Sequence, residues 1–158
     1  MKVEKIMTTD VRTVRENDTM DAAVKAMWER DCGFVPVLGA DDRIVGVITD
    51  RDVAIASWTR GLAPHQIHVS EAMSRAPECC SPSDTIETAE DCMRQYRLRR
   101  LPVVESDHVV GILSLNDLAR ASASQPRVVQ ADRLMGTIAA ICEPHAIDAK
   151  PKVATAAM

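Results

Sequence analysis

The chain writes one pattern twice, and that duplication limits the folds open to it more than any other feature. Aligning residues 3–54 with 69–119, at an offset of 66 that falls to 65 after one deletion, gives 13 identities in 51 pairs. They include Met7/Met73, Asp18-Thr19/Asp84-Thr85, Met27/Met93, Pro36-Val37/Pro102-Val103, Gly46/Gly111 and Asp52/Asp117. The deletion falls between Asp41 and Arg43, in an expected hairpin turn, where a change of length costs least. A unit of roughly 50 residues is too small to bury two helices and both faces of a sheet, so the two copies must pack on each other about a pseudo-twofold axis.

Each copy reads β-α-β-β-α. Short extended segments, Arg12–Val14 and Glu78–Cys80, come first. Asp18 and Asp84 stand at the expected N-caps, with acids three residues on at Asp21 and Glu87. Met20, Ala23, Val24 and Met27 follow at helical spacing, repeated by Ile86, Ala89 and Met93. Hairpins come next: Phe34–Leu38 with Arg43–Ile48, and Leu101–Glu105 with His108–Leu113 around Ser106-Asp107. Second helices open at Thr49 and Ser114 and turn Val53, Ala56 and Leu118 inward. The expected fold is α+β, with repeats at 1–60 and 69–124 joined by a linker at 61–68. A further amphipathic helix is expected within 125–145, its apolar stripe running Val128, Ala131, Met135, Ile138 and Cys142, and then a frayed tail over 146–158.

Composition narrows the function. Only 3% of the residues are aromatic, which disfavours ligand stacking on aromatic platforms. The net charge of −4 argues against a nucleic-acid partner, whose phosphates need a basic face. No run approaches the ~18 apolar residues of a membrane span, and residues 1–7 lack a signal-like apolar stretch, so a cytoplasmic protein is expected. Five cysteines at irregular spacing read as buried small hydrophobes of a reducing compartment.

The chemistry gathers at two strand-to-helix corners, Ile44-Val-Gly-Val-Ile-Thr-Asp-Arg-Asp52 and Val109-Val-Gly-Ile-Leu-Ser-Leu-Asn-Asp117. A helix N-terminus there offers free N–H groups to a phosphate, beside a carboxylate that can accept from both hydroxyls of a sugar diol. Thr49-x-x-Asp52 and Ser114-x-x-Asp117 equally match capping boxes, in which the acid reaches back to its own backbone. Both readings stand at this level.

These corners, with Gly33-Phe-Val-Pro-Val37 and Arg99-Arg-Leu-Pro-Val103, resemble the cystathionine β-synthase (CBS) domain family, in particular a stand-alone tandem pair or Bateman module. The resemblance spans Val3 to about Ala121. It implies a non-enzymatic regulatory module binding AMP, ADP, ATP or an S-adenosyl compound between the repeats. Asp52 and Asp117 would then take ribose hydroxyls, Thr49 and Ser114 phosphate or ribose oxygens, and Arg99 or Arg100 the phosphates. Arg94 and Arg97 read equally as a solvated helix end. The resemblance also implies a homodimer through helices, with Met20, Val24, Met27, Trp28 and Trp58 on its surface, and an effector protein as the receiver of the signal. Two alternatives remain: a ligand-free adaptor, and a redox- or metal-responsive protein using Cys79, Cys80 and Cys142, the metal version adding His65 and His68.

Overall fold

Helix formation and strand pairing follow the duplicated pattern in the computed structural model, which describes residues 1–126 and 129–144. The first repeat holds β1 (Val14–Arg15), α1 (Met20–Glu29), β2 (Phe34–Leu38), β3 (Ile44–Thr49) and α2 (Asp50–Arg60). After β4 (Ser74–Arg75), the second holds α3 (Ile86–Tyr96), β5 (Arg100–Glu105), β6 (His108–Ser114) and α4 (Leu115–Ser124), and α5 (Ala131–Cys142) is the last described element. Both hairpins are antiparallel and carry a bulge at the same place, Val37/Leu38 and Val103/Val104. Ser106 and Asp107 have φ of 50° and 66°, the left-handed pair a two-residue turn requires. The class is α+β. No described helix is long and apolar enough to cross a membrane.

Two cores form, one per repeat, each closed by a segment from outside its own β-α-β-β-α unit. The four-stranded sheet runs β1-β2-β3-β4, so the strand leading into the second repeat completes the first. Reciprocally, Thr8 bridges Ile112 in the second repeat, and Cys80 bridges Val103 in the place of β1. Val3, in a short 3-10 turn at Val3–Lys5, is fully buried among Ile86, Met93, Leu101 and Leu113; Val69 lies equally buried among Val14, Met20, Val37 and Ile48. This exchange explains two of the repeat identities at once. A Cβ on Gly46 would lie 2.7 Å from Met73 Sδ and 2.8 Å from the Ser74 carbonyl, and one on Gly111 would lie 2.7 Å from Met7 Sδ. Glycine and methionine form one crossing contact, made twice.

Three expectations are corrected. The helix N-caps are Thr19 and Thr85, not Asp18 and Asp84. Those aspartates instead accept from the backbone N–H of Arg15 (2.8 Å) and Ser81 (2.7 Å), holding the turn before each helix. On α5 the buried stripe is Leu134, Thr137 and Ile141, whereas Met135 and Cys142 are exposed. Thr137 turns inward because Glu90 of α3 lies beneath it and accepts its hydroxyl at 3.4 Å. Val128 and the expected tail at 146–158 lie outside the described residues. Of the five residues expected on a dimer surface, Met20 and Met27 belong to the first core, while Val24, Trp28 (86% exposed) and Trp58 (78%) face outward from α1 and α2. The corresponding side of the second repeat is covered by α5, packed on α3 and α4.

Candidate functional site

Each strand-to-helix corner forms as the sequence pattern requires, with Thr49 and Ser114 extended (φ −117° and −126°) and capping α2 and α4. Asp52 N–H donates to Thr49 Oγ1 at 3.2 Å, while Asp52 Oδ2 accepts from Thr49 N–H (2.8 Å) and Thr49 Oγ1 (2.7 Å). Asp117 Oδ2 accepts from Ser114 N–H (2.8 Å) and Oγ (2.5 Å) in the same way. The capping reading is therefore realised at both corners. It uses only one oxygen of each carboxylate. Asp52 Oδ1 has no hydrogen-bond partner among the described residues, whereas Asp117 Oδ1 accepts from Arg120 Nη2 (2.5 Å) and Thr8 Oγ1 (3.3 Å).

The space between the repeats is not filled. A first cleft of about 600 Å³ opens in front of Asp52, bounded by Thr49, Arg51, Pro77 and the run Tyr96–Arg100 at the end of α3. A second, of about 380 Å³, lies before Asp117 and is bounded by Thr8, Asp10, Arg12, Arg30, Ser114 and Arg120. Arg97 and its repeat counterpart Asp31 both adopt left-handed φ (55° and 48°), which ends α3 and α1 and sends the next residues along the clefts. Arg99 and Arg100 both line the first cleft, and Arg100 also reaches the second.

Each space is lined by four arginines and three acids, but the charges pair differently. Arg51, Arg99 and Arg100 in the first cleft have no carboxylate partner among the described residues, while Arg97 Nη2 donates to Glu143 Oε2 at 3.0 Å. Repeat one carries Gly33 where repeat two carries Arg99. A Cβ on Gly33 would stand 2.5 Å from the Asp50 carboxylate, and the residue matching Asp50 in repeat two is Leu115. Tyr96, Arg51 and Ile141 were not singled out from sequence. Arg51 lies inside the corner motif at a position that differs between the copies, Tyr96 lies just before the Arg99–Val103 motif, and Ile141 comes from α5, outside both repeats.

The Cys79 and Cys80 thiols are poorly suited to reactivity. Burial, reinforced by the Glu78 charge, pushes the Cys79 thiol up from 9.0 to about 11, and burial beside Asp84 pushes Cys80 up to about 12. Among the described residues no group of three or more His, Cys, Asp or Glu side chains could hold a metal ion, and His68 Nδ1 instead lies 3.0 Å from the Asn17 carbonyl. Titration with a chromogenic disulfide at pH 8 should modify exposed Cys142 fast, half-buried Cys79 slowly and buried Cys80 only on unfolding. Because the folded thiols keep their protons to higher pH than the unfolded ones, their contribution to stability holds up to about pH 9 and is lost as the pH rises towards 12. Fast native-state labelling of Cys80 would contradict this assignment.

The family model described as "CBS domain" matches residues 3–58 and 69–124. The chain is 38% identical over 117 residues to the CBS domain-containing protein YhcV of Bacillus subtilis, covering 74% of this chain and 82% of that one. It is 32% identical over 142 residues to Hypoxic response protein 1 of Mycobacterium tuberculosis, covering 90% and 94%. A crystal structure of Hypoxic Response Protein I with two coordinated zinc ions superposes with a TM-score of 0.69 at 32% identity, over 76% of this chain and 98% of that one. The structure of CBSX2 in complex with AMP gives a TM-score of 0.68 at 23% identity, over 78% and 96%, a likeness of fold.

Proposed function

The chain belongs to the CBS domain family as a tandem pair, and from that premise we propose that it is a regulatory module binding an adenine nucleotide in the first inter-repeat cleft. One observation carries the reading: a carboxylate oxygen left without a partner, Asp52 Oδ1, fronts a cavity of about 600 Å³ lined by Arg51, Arg99 and Arg100. Ribose hydroxyls donate to Asp52, and the phosphates meet Arg99, Arg100 and the N-terminus of α2 at Thr49. Those three guanidiniums, unpaired among the described residues although Asp50 and Glu78 line the same cavity, favour a phosphorylated nucleotide over a sulfonium such as S-adenosylmethionine. The AMP complex of CBSX2 supports the same class of ligand.

Occupancy is read out through α5 in this proposal. Ile141 lines the cleft, and Glu143 competes with the incoming phosphates for Arg97. The receiver is an effector protein or the assembly state, and the outward Trp28, Ile55 and Trp58 of α1 and α2 suit a homodimer. The capping geometry at both corners favours one rival, a ligand-free adaptor.

A thermal-shift panel with AMP, ADP, ATP and S-adenosylmethionine separates the two. A nucleotide at ~100 times its Kd adds ~2.7 kcal/mol. For a chain of this size the melting temperature then rises by roughly 5–10 °C. Asp52→Asn should abolish the rise while leaving the unliganded melting temperature within a few degrees. If no adenylate moves the wild type, the adaptor reading takes its place.

A further inference from the structure

Building on the nucleotide-binding reading, we infer that Arg120 occupies the second cleft in place of a ligand, so that the chain takes one nucleotide rather than two. A carboxylate offers about four acceptor positions. At Asp117 all four are in use, by Ser114 N–H, Ser114 Oγ, Arg120 Nη2 and Thr8 Oγ1, and its side chain is only 2% exposed. At Asp52 two are in use, both by Thr49. A diol entering the second cleft would have to displace a guanidinium from a buried anion; one entering the first displaces water.

Four differences between the repeats act in this same direction. Arg120 matches Ile55, which carries no donor, so nothing equivalent stands over Asp52. Thr8, on the exchanged segment, matches Ser74, which makes no hydrogen bond to Asp52. Arg30 grips Asp10 with both terminal nitrogens, one bond at 2.9 Å, within the wall of the second cleft. The matching positions in the other repeat are Tyr96, which lines the first cleft, and Ala76, and the two cannot form an ion pair. The second space is accordingly the smaller, about 380 Å³ against about 600 Å³.

The Arg120 side chain is 74% exposed and its one hydrogen bond among the described residues is to Asp117, so it can be replaced without disturbing a core. Arg120→Ile installs the residue that repeat one carries at this position. Arg120→Lys keeps a cation over the carboxylate.

Isothermal titration with ATP, and separately with AMP, reads the number of sites per chain. Wild type and Arg120→Lys should each bind one, lost in Asp52→Asn. Arg120→Ile should bind two, and Arg120→Ile with Asp117→Asn should return to one. Two sites in the wild type, or one still in Arg120→Ile, would overturn the inference. Binding by Arg120→Ile alone, with none in the wild type, would uphold the role of Arg120 and sink the assignment of the first cleft. No binding by either chain overturns both.

Discussion

A chain lacking residues 1–9 should lose the fold of its second repeat before that of its first. Val3 is buried among the side chains of α3, β5 and β6, 83 to 110 residues away in the sequence from Ile86 and Leu113. Five backbone hydrogen bonds go with the segment: Val3 N to Asp84 O, Glu4 N to Pro82 O, Ile86 N to Met1 O, and the pair between Thr8 and Ile112. Burying one valine contributes about 1.5–3 kcal/mol and each hydrogen bond a net ~1 kcal/mol. Against a total stability of about 5–15 kcal/mol, that loss is enough to open one half of the molecule. The subtler change Val3→Asp acts the same way, by placing a charge where no partner exists. Hydrogen exchange is the check: amides of α3 and β6 should lose protection while those of β2 and β3 keep it. The mirror change Val69→Asp should reverse the pattern, since Val69 lies in the first core. Loss of β2 and β3 protection on deleting residues 1–9 would show that each repeat is closed by its own leading segment.

That exchange was not legible in the sequence, and the reason is physical. Hairpins and helices announce themselves by local periodicity, which is why the hairpins and the helix starts at Thr49 and Ser114 fall where the pattern puts them. The partner of a lead-in segment is a long-range choice, and Val3 and Val69 look alike whichever core they enter. One trace of it was present, because Met7/Met73 and Gly46/Gly111 are identities with no local purpose. The N-cap of α1 missed by one residue since Asp18 and Thr19 are both good caps, and the aspartate was taken up by the preceding turn. At the site, Thr49, Asp52, Arg99 and Arg100 are found together at one cleft. Arg120, which pairs with Asp117 in the twin cleft, sits outside the motif and differs between the copies.

The other large effect is expected at the joint between α3 and α5, where the stripe on α5 was misread for want of a charge partner. Glu90 is 1% exposed, and Arg133 Nε donates to it at 2.9 Å. Arg133 Nη2 also reaches Asp91 Oδ1 (2.7 Å) and the Glu87 carbonyl (2.9 Å). Removing one partner of such a pair leaves a buried charge uncompensated and costs about 3–5 kcal/mol, whereas replacing both with apolar groups is often close to neutral. Arg133→Met should therefore destabilise strongly, and Glu90→Leu with Arg133→Met should recover most of the loss. The cost has a ceiling, because water reaches Glu90 as soon as α5 lifts off. In the single variant the helix at Ala131–Cys142 should accordingly exchange its amides and admit protease while the two hairpins stay protected. Global unfolding with no separate release of α5 would show that this helix, whose Leu134 and Ile141 belong to the second core, unfolds only together with it. A double variant no more stable than Arg133→Met would show that the pair is not what sets its register. Because Ile141 lines the first cleft, release should also weaken the thermal shift given by nucleotide, linking the joint to the site.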